Sequence, residues 1–489
     1  MPDTQNFDRQ SMSQSFHPKR GFHGVVDLAA PREMLAAAIR RYDVPGAQLV
    51  VYHEEKLAAA CAGVERVDTS REVRPNSRFP FGSVTKAFTA TVVMQLVSDG
   101  DLELDAPVAE YVPELRDGSP DWRQVTLRQV LSHTSGAVAD HGVDDSTESS
   151  LRSYVVSCRD VSGVCPPGAA FSYSNTGYVV AGRCVEQVTG YGWWPAVESF
   201  LSRPLGLGLG CLTDGATRRG MVAGHAVSAG RAWPVEVELP TTWAPAGGLA
   251  GSAADLVALA QLHLGVRQRA LLSPATASEM REPVGPAQPV GLAAGWGLGV
   301  ALYGGGWVGH DGTLDGVVCN LRWHPDTSTA VGFVANATSG SDLWEDLAGG
   351  LVESGFPSGL AEGDRPTPAE LPVDRSSGYP GEYANGRTTF RVYVDDDGAL
   401  KLTETAGFSA RLAVNAGDYF TVHRRDTLER PHSGKFLRDL TGRVGALQIS
   451  GRIARRIEGI TAGTGAARSA ASGRGHRDGG AHPGVVAAT

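Results

Sequence analysis

Cysteine is scarce in this 489-residue chain. The six present, at positions 61, 158, 165, 184, 211 and 319, are too few and too scattered for a disulfide framework. None sits in a Cys-x-x-Cys or mixed Cys/His cluster, so the sequence offers no metal site and implies no cofactor. Long apolar runs are missing too: none approaches the roughly 18 residues that a membrane-spanning helix needs. Met1 to Val25 is polar and lacks the apolar core of a secretory signal. Positive charge is in deficit, 44 Lys and Arg against 53 Asp and Glu. The net charge of −9 argues against nucleic acid or an anionic membrane as partner. These absences leave a cytoplasmic globular protein with reduced, mostly buried thiols, long enough for two or three domains.

What stands out is the stretch from Pro80 to Gly100, PFGSVTKAFTATVVMQLVSDG. Ser83 opens an apolar run in which Val84, Ala87, Phe88, Val92, Leu96 and Val97 recur with helical spacing, and Gly100 supplies a stop. Ser83 and Lys86 then share one face of the first turn. A serine at a helix start beside an amine has what an acyl-transfer nucleophile requires. Lys86 can take its proton, and the free N–H groups of the first turn favour negative charge on a substrate oxygen. The bland alternative is a capping serine with a surface lysine.

Before this stretch, residues 1–29 read as a disordered leader, 31–42 as a helix, and 46–52 with 57–63 as a hairpin. A helix, two strands and the Ser83 helix predict an antiparallel sheet flanked by helices, an α+β core. After it, a short helix over 127–131 runs into Ser132-His133-Thr134-Ser135-Gly136. His133 reads as a structural residue satisfying backbone groups rather than a base. Residues 137–150 are polar and are expected to form a mobile loop over the pocket.

A second candidate site is Tyr173-Ser174-Asn175, before a helix expected from Tyr178. In an extended loop Tyr173 and Asn175 face the same side. A phenol whose pKa is lowered by nearby cations can shuttle protons, and an Asn amide can donate to a substrate carbonyl. Residues 241–260 form a glycine-rich turn running into a helix capped around Ser252, shaping a pocket wall. The third site is His310-Asp311-Gly312, between strands read over 296–303 and 317–323. Its glycines would let a ligand lie against the backbone. Asp311 fits a solvated turn residue without a catalytic role.

Ser83-Val84-Thr85-Lys86, Tyr173-Ser174-Asn175 and His310-Asp311-Gly312, in that order, resemble the three active-site motifs of the serine β-lactamase and penicillin-binding-protein superfamily. The third is in its H-x-G form. The longer stretches Phe79–Lys86, Phe171–Tyr178, Gly309–Arg322 and Trp344–Leu347 are similar to those of penicillin-binding-protein-type thioesterases. These are surugamide-cyclase-like, stand-alone enzymes that release nonribosomal peptides from a carrier protein as macrocycles. The similarity runs from about residue 30 to about 456.

The resemblance implies a serine β-lactamase-like α+β domain with Ser83 at its boundary with a helical subdomain, and a C-terminal lipocalin-like β domain. It implies Ser83 as nucleophile, Lys86 and Tyr173 as its activators, and Asn175 and His310 in the site. The oxyanion hole would be the backbone N–H groups of Ser83 and Thr313. Arg452, of a Gly-Arg pair placed near the end of the last strand, would recognise the carboxyl-side residue of the peptide. It further implies a D-configured C-terminal and an L-configured N-terminal residue in a carrier-bound peptidyl thioester. A hydrolase of the β-lactamase, D-aminopeptidase or esterase type, or an acyltransferase, would use the same residues. A non-catalytic penicilloyl-binding sensor would not need them all.

The C-terminal region can also be read directly. Residues 356–378 are rich in Pro, Gly and charge, a linker. Short alternating strands over 388–394, 399–404, 411–414, 419–423 and 446–450, with a tight turn at 395–398, predict a small barrel or sandwich. The expected domains are therefore 30–355 and 379–458, with a disordered tail over 459–489.

Overall fold

Gly46–His53 (β1) is apolar without alternation, the mark of a strand covered on both faces, and all but its last residue is buried. It lies one in from the edge of a seven-stranded antiparallel sheet. The other strands are Lys56–Gly63 (β2), Gly295–Trp296 (β3), Ala301–Leu302 (β4), Val308–Leu314 (β5), Val317–His324 (β6) and Thr329–Ala335 (β7). Their order is β2-β1-β7-β6-β5-β4-β3. The structure is a computed structural model and describes residues 30–119, 121–142, 149–360, 370–373, 377–405, 407–424 and 432–457. The leader, the tail and most of the linker expected from sequence lie outside these residues.

The single strand expected over 296–303 is two. Trp296 pairs with Ala301 across a turn in which Gly299 has φ +80°, a left-handed conformation that a side chain would resist. A Cβ there would also collide with Ala90.

Helices cover both faces of the sheet. Ala30–Arg41 (α1) and Gly340–Glu353 pack on one side, burying Leu35, Leu343, Trp344 and Leu351 against Phe333. The other side carries Ala253–His263 and, beyond it, the helical region built on Thr85–Ser98 (α2), Leu127–Leu131 (α3) and Asn175–Thr189 (α4). From Thr85 to Leu96 every residue of α2 is buried, so it is a central helix, not an amphipathic surface one. The only charge in that run is Lys86.

The C-terminal segment is a closed, eight-stranded antiparallel barrel. The five expected strands are there within a few residues, as Thr388–Val394, Leu400–Glu404, Ser409–Val414, Tyr419–Arg424 and Val444–Ile449. Closure needs three more: Gly381–Asn385, His432–Arg438 and Arg452–Ile457. Leu402, Leu412, Phe420, Phe436 and Leu447 pack together inside, with the Phe420 and Phe436 rings 4.8 Å apart. Eight strands leave an interior about wide enough for side chains to fill.

The barrel is fastened to the chain around Tyr173 by hydrogen bonds that each involve the main chain. The Tyr173 N–H donates to the Gly451 carbonyl at 2.9 Å, and the Ile453 N–H donates to Ser172 Oγ at 3.2 Å. Gln448 Nε2 donates to the Phe171 carbonyl at 2.9 Å. Asn385 bridges the two parts, accepting from the Ala139 N–H and donating to the Ile453 carbonyl, each at 2.8 Å. This corrects the expectation of a mobile loop from 137. Ala137, Val138 and Ala139 are buried, and residues 143–148 lie outside the described residues.

Candidate active site

Ser83 lies in a single 3-10 turn, Gly82–Val84, that leads into α2, so it precedes the α-helix rather than opening it. Lys86 is the second residue of α2 and is fully buried. Its Nζ donates to Ser83 Oγ at 3.0 Å and to the Ala246 carbonyl at 2.8 Å, so the Gly247 turn does wall the site. Burial, helped by the Arg452 cation and opposed by Asp140, drives the Lys86 pKa well below that of an ordinary lysine. An amine that holds its proton less tightly than an ordinary lysine, beside a serine hydroxyl, is a base in position.

Strand β5 runs against the Ser83 turn, and two glycines allow it. A Cβ on Gly312 would collide with the Phe81 carbonyl and lie 3.0 Å from the Ser83 nitrogen. A Cβ on Gly82, at φ +50°, would lie 2.5 Å from the Thr313 carbonyl oxygen and 3.1 Å from its nitrogen. The glycine of the His-Asp-Gly motif therefore serves backbone approach. It brings the main chains of Ser83 and Thr313 side by side.

Tyr173 stands at the centre of an aromatic cluster. Its ring stacks on His133 at 4.1 Å and meets Trp296 edge-on at 5.8 Å. Lys86 Nζ lies 4.9 Å from the ring centroid and the Arg452 guanidinium carbon 5.0 Å. Burial nevertheless pushes the phenol above its ordinary pKa, against the pull of the Ser83 hydroxyl and Arg452. Arg452 pulls it down as expected of a nearby cation, but enclosure of the ring outweighs that pull.

His133 is structural, as expected. Its Nδ1 accepts from the Ser174 N–H at 3.1 Å, and burial holds it neutral. His310 lies inside β5, where its Nδ1 donates to its neighbour Asp311's carbonyl at 2.6 Å. That leaves Nε2 as an acceptor. Burial, then the Lys86 amine, pulls its pKa down to about 3. The Tyr173 hydroxyl, His310 Nε2, His133 Nε2 and Trp296 Nε1 are all buried without hydrogen-bond partners. Such atoms are rare in folded proteins, and these four belong to rings packed on one another around Tyr173.

Two expectations need correcting around this centre. The helix after the second motif begins at Asn175, not Tyr178, with the Ser174 side chain as its cap. Asn175 Nδ2 donates to Asp140 Oδ1 at 2.7 Å, which uses one of its two amide protons. Asp311 is a strand residue rather than a turn residue, and its carboxylate, though partly exposed, is tied down. Its carboxylate is gripped by Arg322 at 2.6 and 2.9 Å, by Asn320 at 2.6 Å and by Tyr303 at 3.1 Å. Burial raises its pKa, but Arg322 and Asn320 outweigh that and hold it below the carboxylate range.

Arg452 begins the last barrel strand, directly after Gly451 at φ +69°; it does not end that strand. A Cβ on Gly451 would strike Leu292. Arg455 is exposed, while Arg456 donates to the Gly378, Val444 and Pro380 carbonyls and closes the barrel. Asp140 and Trp296 were not singled out from sequence. Among the described residues no group of three or more His, Cys, Asp or Glu side chains could hold a metal ion. No helix among them is long and apolar enough to cross a membrane.

The beta-lactamase family profile matches residues 31–353. The chain belongs to the beta-lactamase family. Penicillin-binding protein 4 of Amycolatopsis lactamdurans is a family relative, 36% identical over 367 residues, covering 71% of this chain and 96% of that protein. The crystal structure of SurE superposes with a TM-score of 0.78 at 39% identity, over 88% of this chain and 99% of SurE. A structure of SurE with D-Leu gives 0.75 at 39% identity, over 88% and 98%. This beta-lactamase family member thus pairs the serine β-lactamase-like fold with a C-terminal eight-stranded barrel. It is an enzyme of the serine hydrolase or acyl-transfer type.

Proposed function

We propose that the protein is a stand-alone thioesterase and macrocyclase. It would accept a linear nonribosomal peptide from a carrier-protein thioester onto Ser83 and release it by head-to-tail amide formation. The observation that carries this reading is Arg452. A barrel appended to the beta-lactamase domain sets a guanidinium 5.0 Å from the Tyr173 ring, where it can address a peptide's carbonyl oxygens. A simple esterase has no need of it. The SurE structure with D-Leu supports a D-configured residue at the acyl end.

In this reading neutral Lys86 takes the Ser83 hydroxyl proton as Oγ attacks the thioester carbon. The oxyanion lies between the N–H groups of Ser83 and Thr313, where one donor is worth roughly 3 kcal/mol of barrier. The C–S bond breaks, Lys86 returns the proton to sulfur, and the carrier thiol leaves. The peptide's terminal amine then attacks the Ser83 ester. A C–N bond forms, the C–O bond breaks, and an N–H proton passes through Lys86 to Oγ. Tyr173, with its raised pKa, acts as a hydrogen-bond donor, and His310 Nε2 can accept from the incoming amine. Effective molarities of roughly 10⁵ M for a well-placed internal group let the amine outcompete bulk water.

The test is mass spectrometry of the products from a short peptide thioester with a D residue at its C-terminus and an L residue at its N-terminus. A product one water lighter than the linear acid is expected, with a Ser83-bound intermediate that Ser83→Ala abolishes. Linear acid alone, across several peptide lengths, would make the protein a hydrolase.

A further inference from the structure

A cyclase has to hold both ends of one chain. Arg452 addresses the acyl end and leaves the other without a receptor. In water the attacking amine is largely an ammonium, with a pKa near 8. Its receptor should be an anion that borders the site and is not already neutralised by a cation.

Two carboxylates border the motifs around Tyr173: Asp140, bonded to Asn175, and Asp311, next to His310. Asp311 is spent, since both its oxygens are held by Arg322. Asp140 is not. Among the described residues no cation pairs with it, and its one side-chain bond is Oδ1 accepting from Asn175 Nδ2 at 2.7 Å. It is half-buried, so it can be reached from solvent. It is also fixed in place: the neighbouring Ala139 carbonyl accepts from the Asn175 N–H at 2.8 Å, and Asn385 holds the Ala139 N–H. Gly386 of the barrel packs on the Asp140 carbonyl, where a Cβ would lie 3.1 Å away. The carboxylate is close enough to Lys86 for its charge to oppose that of Arg452 there.

We infer that Asp140, oriented by Asn175, is the receptor for the α-ammonium of the attacking end of the peptide. This rests on the cyclase reading. One oxygen stays on Asn175 and the other takes the ammonium. The ammonium loses one proton to solvent. The amine that results attacks the Ser83 ester, and its second proton reaches Oγ through Lys86, as above. The second motif thereby gains a division of labour: Tyr173 serves the bond being broken, and Asn175 serves the nucleophile through Asp140.

Asp140→Asn keeps an acceptor for Asn175 and removes only the charge. With a free-amine peptide thioester, the ratio of ring to linear acid should fall roughly 10- to 100-fold, the scale of one charge-assisted hydrogen bond. Acylation, read by intact mass with the N-acetylated thioester, should fall by far less. Equal losses in acylation and partition would overturn the proposal by making Asp140 a support for Tyr173; an unchanged partition would overturn it outright. If the wild-type protein forms no ring from any peptide, the cyclase reading fails first. Asp140 is then judged by ester hydrolysis. A preference for free-amine over N-acetylated ester that vanishes in Asp140→Asn keeps the receptor, and no such preference removes it.

Discussion

Lys86 and Arg452 approach the same tyrosine ring from different domains, 4.9 and 5.0 Å from its centroid, in opposite circumstances. Lys86 is on a helix whose every side is covered, spends two hydrogen bonds on Ser83 and Ala246, and is pressed towards neutrality by burial. Arg452 is half-buried on a barrel turn. The guanidinium is the better choice there, because it stays charged where an amine would not. The dry helix can make a base from a lysine, and the wetter barrel rim can keep a cation for recognition. Exchanging the two residue types would spoil both functions.

The sharpest way to break this contrast is at Lys86. Lys86→Met should lower acylation of any substrate by roughly 10³-fold, within the range for loss of a positioned base. Lys86→Arg should not rescue it, because an arginine does not give up its proton; rescue would mean that charge rather than basicity is needed. The same contrast fixes the pH profile of kcat/KM. Lys86 is unprotonated above its lowered pKa and gains a proton below it, so activity falls as the pH drops through a pKa that lies below that of an ordinary lysine. His310, at about 3, adds no inflection near 6.5. An acid limb that persists in Lys86→Met would assign the titration to another group.

Arg452→Ala should act more selectively. We expect KM for a peptide thioester to rise roughly tenfold, as for loss of a charged hydrogen bond, with a small ester affected far less. Equal loss on both would make Arg452 a support for the Tyr173 ring. The smallest effect is expected at the seam. Asn385→Ala leaves the Ala139 N–H and the Ile453 carbonyl without partners, which should cost about 1–3 kcal/mol in thermal unfolding. It should lower acylation of all substrates a few-fold. A defect confined to peptides would show that the barrel serves recognition alone.

Sequence carried local features well and tertiary ones poorly. Ser83 and Lys86 are three residues apart on one chemically distinctive turn, so their adjacency was legible. The barrel strands over 388–394 and 400–404 alternate and flank a tight turn, so they were legible too. His432–Arg438 was missed because Gly434 interrupts its pattern; the glycine is there to admit the Phe420 ring. Asp311 misled because its partner Arg322 lies on the next strand, and neither residue's neighbours reveal the pairing. Asp140 and Asn175 are brought together only by the way α4 and the Ala139 segment meet, a contact no spacing encodes.

The main-chain bond from Tyr173 to Gly451 also bears on when the enzyme comes to exist. Synthesis runs from the N-terminus, and domains generally fold as units while the chain is still being made. Ser83, Lys86 and Tyr173 are all made long before the barrel's last hairpin. Until Gly451 and Ile453 emerge from the ribosome, the Tyr173 N–H and the Ser172 hydroxyl lack these partners. The nascent beta-lactamase domain therefore lacks the bonds that tie Tyr173 and Ser172 to the barrel until the last hairpin is made.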